Sequence, residues 1–261
     1  MVINRGKNSV IPFMRAGCKI RQVMLAFQKL LSFGLLPVLY ILLVAFKCPV
    51  QRFSLAVVDL RCENLKNPVG IDIQRPAFSW KMTATDIKDR NQLQTAWHIE
   101  VASKPDLLVM DKPDIWNSGK VISNDCNNVI YNGKTLQSDK KYYWRVKVWD
   151  KNNLASEWSE TAYWKTGLFN SGDWKGVWIK DNKPLPGTDS MMYADIPAPV
   201  FRKEFPVHKK VKTATLYIGG LGYFEAYING KRVSNNVLEP GQTDYSKRIF
   251  YSAYDVTALS T

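Results

Sequence analysis

The strongest constraint on this chain is a period of two. Residues 142–149 read Tyr-Tyr-Trp-Arg-Val-Lys-Val-Trp, so Tyr142, Trp144, Val146 and Val148 share one face, opposite Arg145 and Lys147. Residues 95–102 place Trp97, Ile99 and Val101 together, with His98 on the polar side. Past Val58 no long segment carries a 3.6-residue period, and turn-forming residues separate the short runs. Strand side chains alternate between two faces, so the pattern predicts an all-β chain.

The order of these runs has a fibronectin-type-III character. Leu136 lies six residues before Tyr142, which opens an alternating strand, and a polar turn at 150–153 and the run Ser156-Glu157-Trp158-Ser159 follow. A tyrosine placed there can hydrogen-bond back across a sandwich corner. The first folded domain is expected over 58–168, with a loop at 170–173 as its boundary. A second β unit follows: a strand over 214–218, a turn at 219–222, a strand over 223–228, and another within 245–254. Asn229-Gly230 supplies the two positive-φ positions of a type I′ hairpin turn. Residues 184–199 read as an exposed loop.

The first 57 residues read differently. Residues 30–46 are uncharged and apolar behind Lys29, with Gly34 and Pro37 inside the run. A basic flank and a short apolar core form the pattern of an export signal, while a stable span needs about 20 apolar residues. Export is expected, with an uncleaved membrane anchor as the alternative. Lys47 before Cys48 argues against a lipoprotein signal, and Ser54-Leu55-Ala56 is a usable small-x-small cleavage site. The formal net charge is +13, but residues 1–58 hold eight Lys or Arg and no acid. A nucleic-acid surface concentrates its charge on the folded part, so no nucleic-acid partner is expected. The membrane is expected to matter only through the N-terminal segment.

Chemical motifs are sparse. Two histidines, His98 and His208, leave little for metal or acid–base work. Cys62 and Cys126 do not have zinc-site spacing; an exported pair could bridge, and two separate thiols is the simpler reading. Gly219-Gly220-Leu221-Gly222 precedes a strand where a dinucleotide fingerprint needs a helix, so it reads as a turn. Neither a phosphate-binding loop nor a zincin motif occurs, and no cofactor or metal is expected. All nine Trp lie between Trp80 and Trp178. Indoles serve sandwich cores and sugar platforms alike; most are expected in the core, with one or two exposed.

The residues resemble a known family. The runs LKNPVGID (65–72), RPAFSW (75–80), QTAWHI (94–99), IWNSGKV (115–121) and YWRVKVWD (143–150) resemble the opening of bacterial α-L-rhamnosidases of glycoside hydrolase family 78. WKGVWI (174–179), FRKEF (201–205), GLGYFE (220–225), YINGKRV (227–233), LEPGQTDY (238–245) and YDVT (254–257) continue the series. The resemblance covers about 58–261. It implies a fibronectin-III-like β-sandwich followed by a partial jelly-roll β-sandwich over 169–261, behind an apolar N-terminal targeting helix. It also implies an exported enzyme that hydrolyses terminal α-L-rhamnose from glycosides with inversion. The family's catalytic glutamates lie in a helical barrel downstream of these motifs, so no catalytic residue carries over. The chain is expected to be inactive alone, with a rhamnose-containing glycan as partner of the parent enzyme. A standalone carbohydrate-binding or adhesion module is the rival. Tyr223, Asn229 and Asp244, at or beside turns, are the candidate sugar-binding residues. A partial jelly roll is further expected to expose strand edges and apolar surface.

Overall fold

The computed structural model describes residues 54–260 except 87, 184–186 and 189–196. The targeting segment lies outside the described residues, as does most of the 184–199 loop. Thirteen strands are present among the described residues, in the order β1 (Leu55–Cys62), β2 (Val69–Ile71), β3 (Ala77–Ala84), β4 (Gln94–Ala102), β5 (Trp116–Asn117), β6 (Val121–Ile122), β7 (Val129–Ile130), β8 (Lys141–Asp150), β9 (Ala162–Thr166), β10 (Thr215–Gly219), β11 (Tyr227–Ile228), β12 (Lys231–Arg232) and β13 (Tyr251–Asp255). One short α-helix, Pro105–Val109, and two single 3-10 turns, Ser171–Asp173 and Thr257–Leu259, accompany them among the described residues. No helix among the described residues is long and apolar enough to cross a membrane.

Strands β1 to β9 form a sandwich. One sheet has the order β1-β3-β7; the other runs β2-β9-β8-β4-β5, with β6 also on β4. The alternation legible in β4 and β8 sends Ile99, Val101, Trp144, Val146 and Val148 inward, all fully buried. Across the gap Phe78 stacks on Trp144 at 4.3 Å and meets Trp164 edge-on at 5.2 Å, while Trp164 stacks on Tyr142 of the adjacent strand at 5.3 Å. The Tyr142 hydroxyl accepts the Gln137 N–H at 2.9 Å, the corner bond expected from its position. One buried amide is fully used: Gln94 Oε1 accepts the Trp80 indole N–H at 3.0 Å, and its Nε2 donates to the Asp125 carbonyl at 2.8 Å.

β1 departs from simple alternation. Its register slips between Val58 and Arg61, and Asp59 has φ 52°. The extra residue of this bulge reverses the inward phase. Leu55 and Val57 point in before it, Leu60 and Cys62 after it. Asp59 is left outside, where Lys81, Arg61 and Lys66 approach within 2.9, 3.2 and 3.2 Å. These cations hold its carboxyl well below the usual range, Lys81 most strongly. Cys62 and Cys126 are free thiols, Cys62 buried and Cys126 half-buried; burial pushes the Cys62 thiol up.

Beyond Gly167 the packing thins abruptly. Among the described residues only Pro240 and Val256 are buried there. β10 pairs antiparallel with β13 over five residue pairs, and β11 with β12 over two. Asn229 and Gly230 sit between β11 and β12 with φ 50° and 74°, as a type I′ turn requires. The strand expected over 223–228 is realised only at Tyr227–Ile228; of the preceding residues, Phe224 donates its N–H to the Glu239 carbonyl at 2.8 Å and the Ala226 carbonyl accepts the Val233 N–H at 2.9 Å. The strand expected within 245–254 begins at Tyr251. A ladder needs a continuous neighbouring strand, and among the described residues neither 223–226 nor 245–250 is paired with one. Large apolar side chains are exposed instead, among them Trp178, Phe201, Phe205, Leu221 and Tyr223.

The β10–β13 sheet is nevertheless fastened to the sandwich. Its register places Tyr217 opposite Ala253 and Gly219 opposite Tyr251, so these side chains share one face. That face meets β2, β9 and the β7–β8 connection. The Tyr217 hydroxyl donates to Asp139 Oδ1 at 2.8 Å, Lys165 pairs with the same carboxylate at 2.6 Å, and the Leu168 N–H donates to the Tyr251 hydroxyl at 3.2 Å. Burial first, then the Asp139 carboxylate, pushes the Tyr217 phenol up.

These surroundings set the pH dependence of stability. Asp59, Asp173, Asp244 and Asp255 are held below the ordinary carboxylate value chiefly by hydrogen bonds and cations. At Asp114 and Asp150 burial opposes the shift, but hydrogen bonds outweigh it. A depressed folded pKa contributes stability above the unfolded value, near 3.9, that is lost as pH falls through the folded one. Burial raises Tyr131, Tyr142, Tyr217 and Tyr251, so their contribution is present below about pH 10 and lost above it. Thermal midpoints measured across pH should therefore form a plateau, falling below about pH 4 and above about pH 10.

Candidate functional site

Three places combine chemistry with shape. The first is the outer face of the larger sheet, where Trp158 lies over β8. Arg145 sits 4.1 Å and Lys147 4.6 Å from its ring, and His98 is 5.0 Å from it. Arg145 donates to Glu100 from Nε at 3.0 Å and from Nη2 at 2.6 Å, and also pairs with Asp111. Alternation alone left Arg145 on a solvated face; it is only 8% exposed, because Trp158 folds across it from the next segment. His98 Nε2 lies 2.7 Å from Asn117 Oδ1, so a polar neighbour holds the ring. Glu100→Ala would leave a buried guanidinium short of its main partner. A loss of about 3 kcal/mol in a urea melt is expected, against little change for Lys147→Ala.

The second place is an open groove of about 650 Å³ in the sandwich. β7 is the free edge of one sheet, and β5 and β6 flank the other; the groove runs between them. Trp97, Trp116, Val121 and Val129 line it with apolar surface, and Arg75, Asp125, Asn127, Asn128 and Asn132 add polar groups. Arg75 is fixed by Nε to the Tyr131 carbonyl at 3.2 Å and by Nη2 to Asn132 Oδ1 at 2.9 Å.

The third is a small recess beside β12, lined by Glu225, Arg232, Glu239 and Tyr254 among others. Its free volume of about 10 Å³ barely admits one water. Arg232 pairs with Glu225 at 2.8 Å, and Glu239 accepts from Asn236 at 2.8 Å and from the Tyr254 hydroxyl. Glycoside hydrolysis needs two carboxyl groups flanking a sugar. The groove has room but one carboxylate, Asp125; the recess has two but no room. Among the described residues no group of His, Cys, Asp and Glu could hold a metal ion.

The three residues singled out by turn position each meet different neighbours. Tyr223 is exposed, Asn229 Nδ2 donates to the Leu259 carbonyl at 2.9 Å, and Asp244 accepts from Ser246 Oγ at 2.6 Å and pairs with Lys247 at 3.1 Å. None of the three lines the groove or the recess. Of the tryptophans, Trp174 and Trp178 are exposed, and Trp80, Trp97, Trp144 and Trp164 are buried. The groove was missed because its walls come from positions far apart in sequence; the cluster of Asn127, Asn128 and Asn132 was the available signal.

Comparison with known proteins gives this architecture a family. Residues 57–170 match the family described as "Rha78A-like, N-terminal immunoglobulin domain", and residues 209–261 match "Alpha-L-rhamnosidase N-terminal domain". These are α-L-rhamnosidase N-terminal domains. The chain is 37% identical over 205 residues to an α-L-rhamnosidase of Formosa agariphila, covering 73% of this chain and 21% of that one. It is 40% identical over 201 residues to one from Alteromonas sp. (strain LOR), covering 76% and 21%. The chain thus spans about a fifth of the rhamnosidases it matches. Among solved structures, the α-L-rhamnosidase from Dictyoglumus thermophilum superposes with a TM-score of 0.70 at 37% identity, covering 79% of this chain and 24% of that one. The Aspergillus terreus enzyme gives 0.59 at 26% identity, covering 80% and 22%.

Proposed function

We propose that this chain serves as the non-catalytic N-terminal region of an exported α-L-rhamnosidase, hydrolysing nothing by itself. One observation carries the reading: two rhamnosidase N-terminal domains occur in order, and among the described residues neither the groove nor the recess places two carboxylates around a sugar-sized space. The sandwich, about 58–168, would be a rigid base, and residues from about 169 would supply the first strands of a jelly roll. The substrate of the whole enzyme would be a rhamnose-containing glycan.

Export is part of the proposal, supported by the basic and apolar character of residues 1–58. The fold constrains where a signal could be cut. Ser54 Oγ donates to Asp150, its carbonyl accepts the Thr85 N–H at 3.1 Å, and Leu55 is buried. Cleavage after Ala56 would strip these from the sandwich. The mature N-terminus of protein recovered outside the cytoplasm should therefore lie before Ser54; a start at Val57 would contradict this.

The second reading, a standalone carbohydrate-binding module, is favoured by the open groove and by exposed Trp174 and Trp178. Sedimentation separates the two. The accessory reading expects the isolated chain to self-associate with concentration through the apolar surface beyond residue 174; the module reading expects a monomer throughout.

A further inference from the structure

We propose that the groove between β7 and the β5–β6 edge binds a neutral pyranose, one sugar unit of a glycan chain. Its volume of about 650 Å³ lies within the roughly 300–1,000 Å³ range of small-molecule sites. The apolar side is aromatic: half-buried Trp116 is braced from behind by Tyr131 at 5.3 Å and Phe78 at 6.4 Å. A braced ring offers a flat surface to the C–H face of a pyranose at little conformational cost. Trp97 also lines the groove, and its buried indole N–H has no acceptor among the described residues.

The polar side suits hydroxyls. Asn132 uses its oxygen on Arg75 and Asn127 uses its oxygen on the Ser79 hydroxyl at 2.7 Å, which leaves both amide nitrogens as donors. Asp125 accepts the Ser123 hydroxyl on Oδ2, with Oδ1 available as an acceptor. Each sugar hydroxyl both donates and accepts, so amide donors beside a carboxylate acceptor match a polyol. One cation, Arg75, faces one anion, Asp125, across the groove. That balance favours a neutral ligand over a phosphate or a uronate. The choice of sugar rests on the rhamnosidase reading; the site itself rests on the groove.

The test titrates the full chain with methyl α-L-rhamnopyranoside and, separately, methyl β-D-glucopyranoside, following backbone and indole N–H resonances. Saturable binding in the millimolar range is expected, with shifts at Asn127, Asn132 and the Trp116 indole. Asn127→Ala combined with Asn132→Ala should weaken it about tenfold, since two exposed donors go while the core is untouched. Trp116→Phe should weaken it less, and Trp178→Ala not at all. Binding of the glucoside alone would support the groove and count against the rhamnoside reading. No saturation by either glycoside would overturn the inference. So would equal affinity in the double variant, or loss of binding only in Trp178→Ala.

Discussion

Trp164→Ala should lower the sandwich's melting midpoint by roughly 15–25 °C, the largest effect expected of any single substitution here. The indole is fully buried where both sheets meet, stacked on Tyr142 at 5.3 Å and edge-on to Phe78 at 5.2 Å. Truncating a buried Trp removes transfer energy and leaves a cavity, about 3–5 kcal/mol together, and a domain of this size loses some 4–8 °C per kcal/mol. A companion variant sharpens the expectation. The Trp164 N–H is buried without an acceptor among the described residues. Trp164→Phe deletes that unpaired donor while keeping an aromatic ring, so a cost of only about 1–2 kcal/mol is expected. Equal losses in the two variants, read by thermal melts at neutral pH, would mean that the indole N–H has a partner.

Gly70→Ala should detach the β10–β13 sheet while leaving the sandwich folded. Gly70 has φ 88°, and an added Cβ would sit 2.5 Å from Ala253 Cβ. The conformation alone costs an L-residue about 1–2 kcal/mol, and Ala253 cannot yield without moving β13. Gly167 is the informative contrast. A Cβ there would meet the Tyr251 hydroxyl at 2.2 Å, the far end of a side chain rather than a Cβ fixed to a strand. Hydrogen exchange should therefore speed up at residues 215–219 and 251–255 in Gly70→Ala, less so in Gly167→Ala, with residues 94–102 and 141–150 unchanged in both. Uniform loss of protection across the sandwich would show that the two parts unfold as one.

Much of the sandwich was legible because its cause is local. The period of two in 142–149 set which side chains of β8 face inward, and Tyr142 announced its corner bond; beyond the sandwich, Asn229-Gly230 set the tight turn between β11 and β12. What was not legible depends on distant chain. Arg145 is buried by Trp158, which no pattern within β8 could reveal. The bulge at Asp59 shows only in the pairing with β3. The junction joins Asp139 to Tyr217 across 78 positions, and Arg75 reaches Asn132 across 57. Strands over 223–226 and 245–250 were expected from alternation, yet alternation supplies no neighbouring strand, and without one the backbone forms no ladder. Tyr223, Asn229 and Asp244 were chosen by turn position, a signal that serves backbone geometry as readily as a ligand.

The central claim is that these domains accompany rhamnosidase chemistry without performing it. The direct measurement is release of the aryl group from an aryl α-L-rhamnopyranoside by the purified 261-residue chain. The expected result is a rate indistinguishable from buffer at any pH. Turnover that follows the chain through purification, with a sugar product of inverted configuration, would contradict the account.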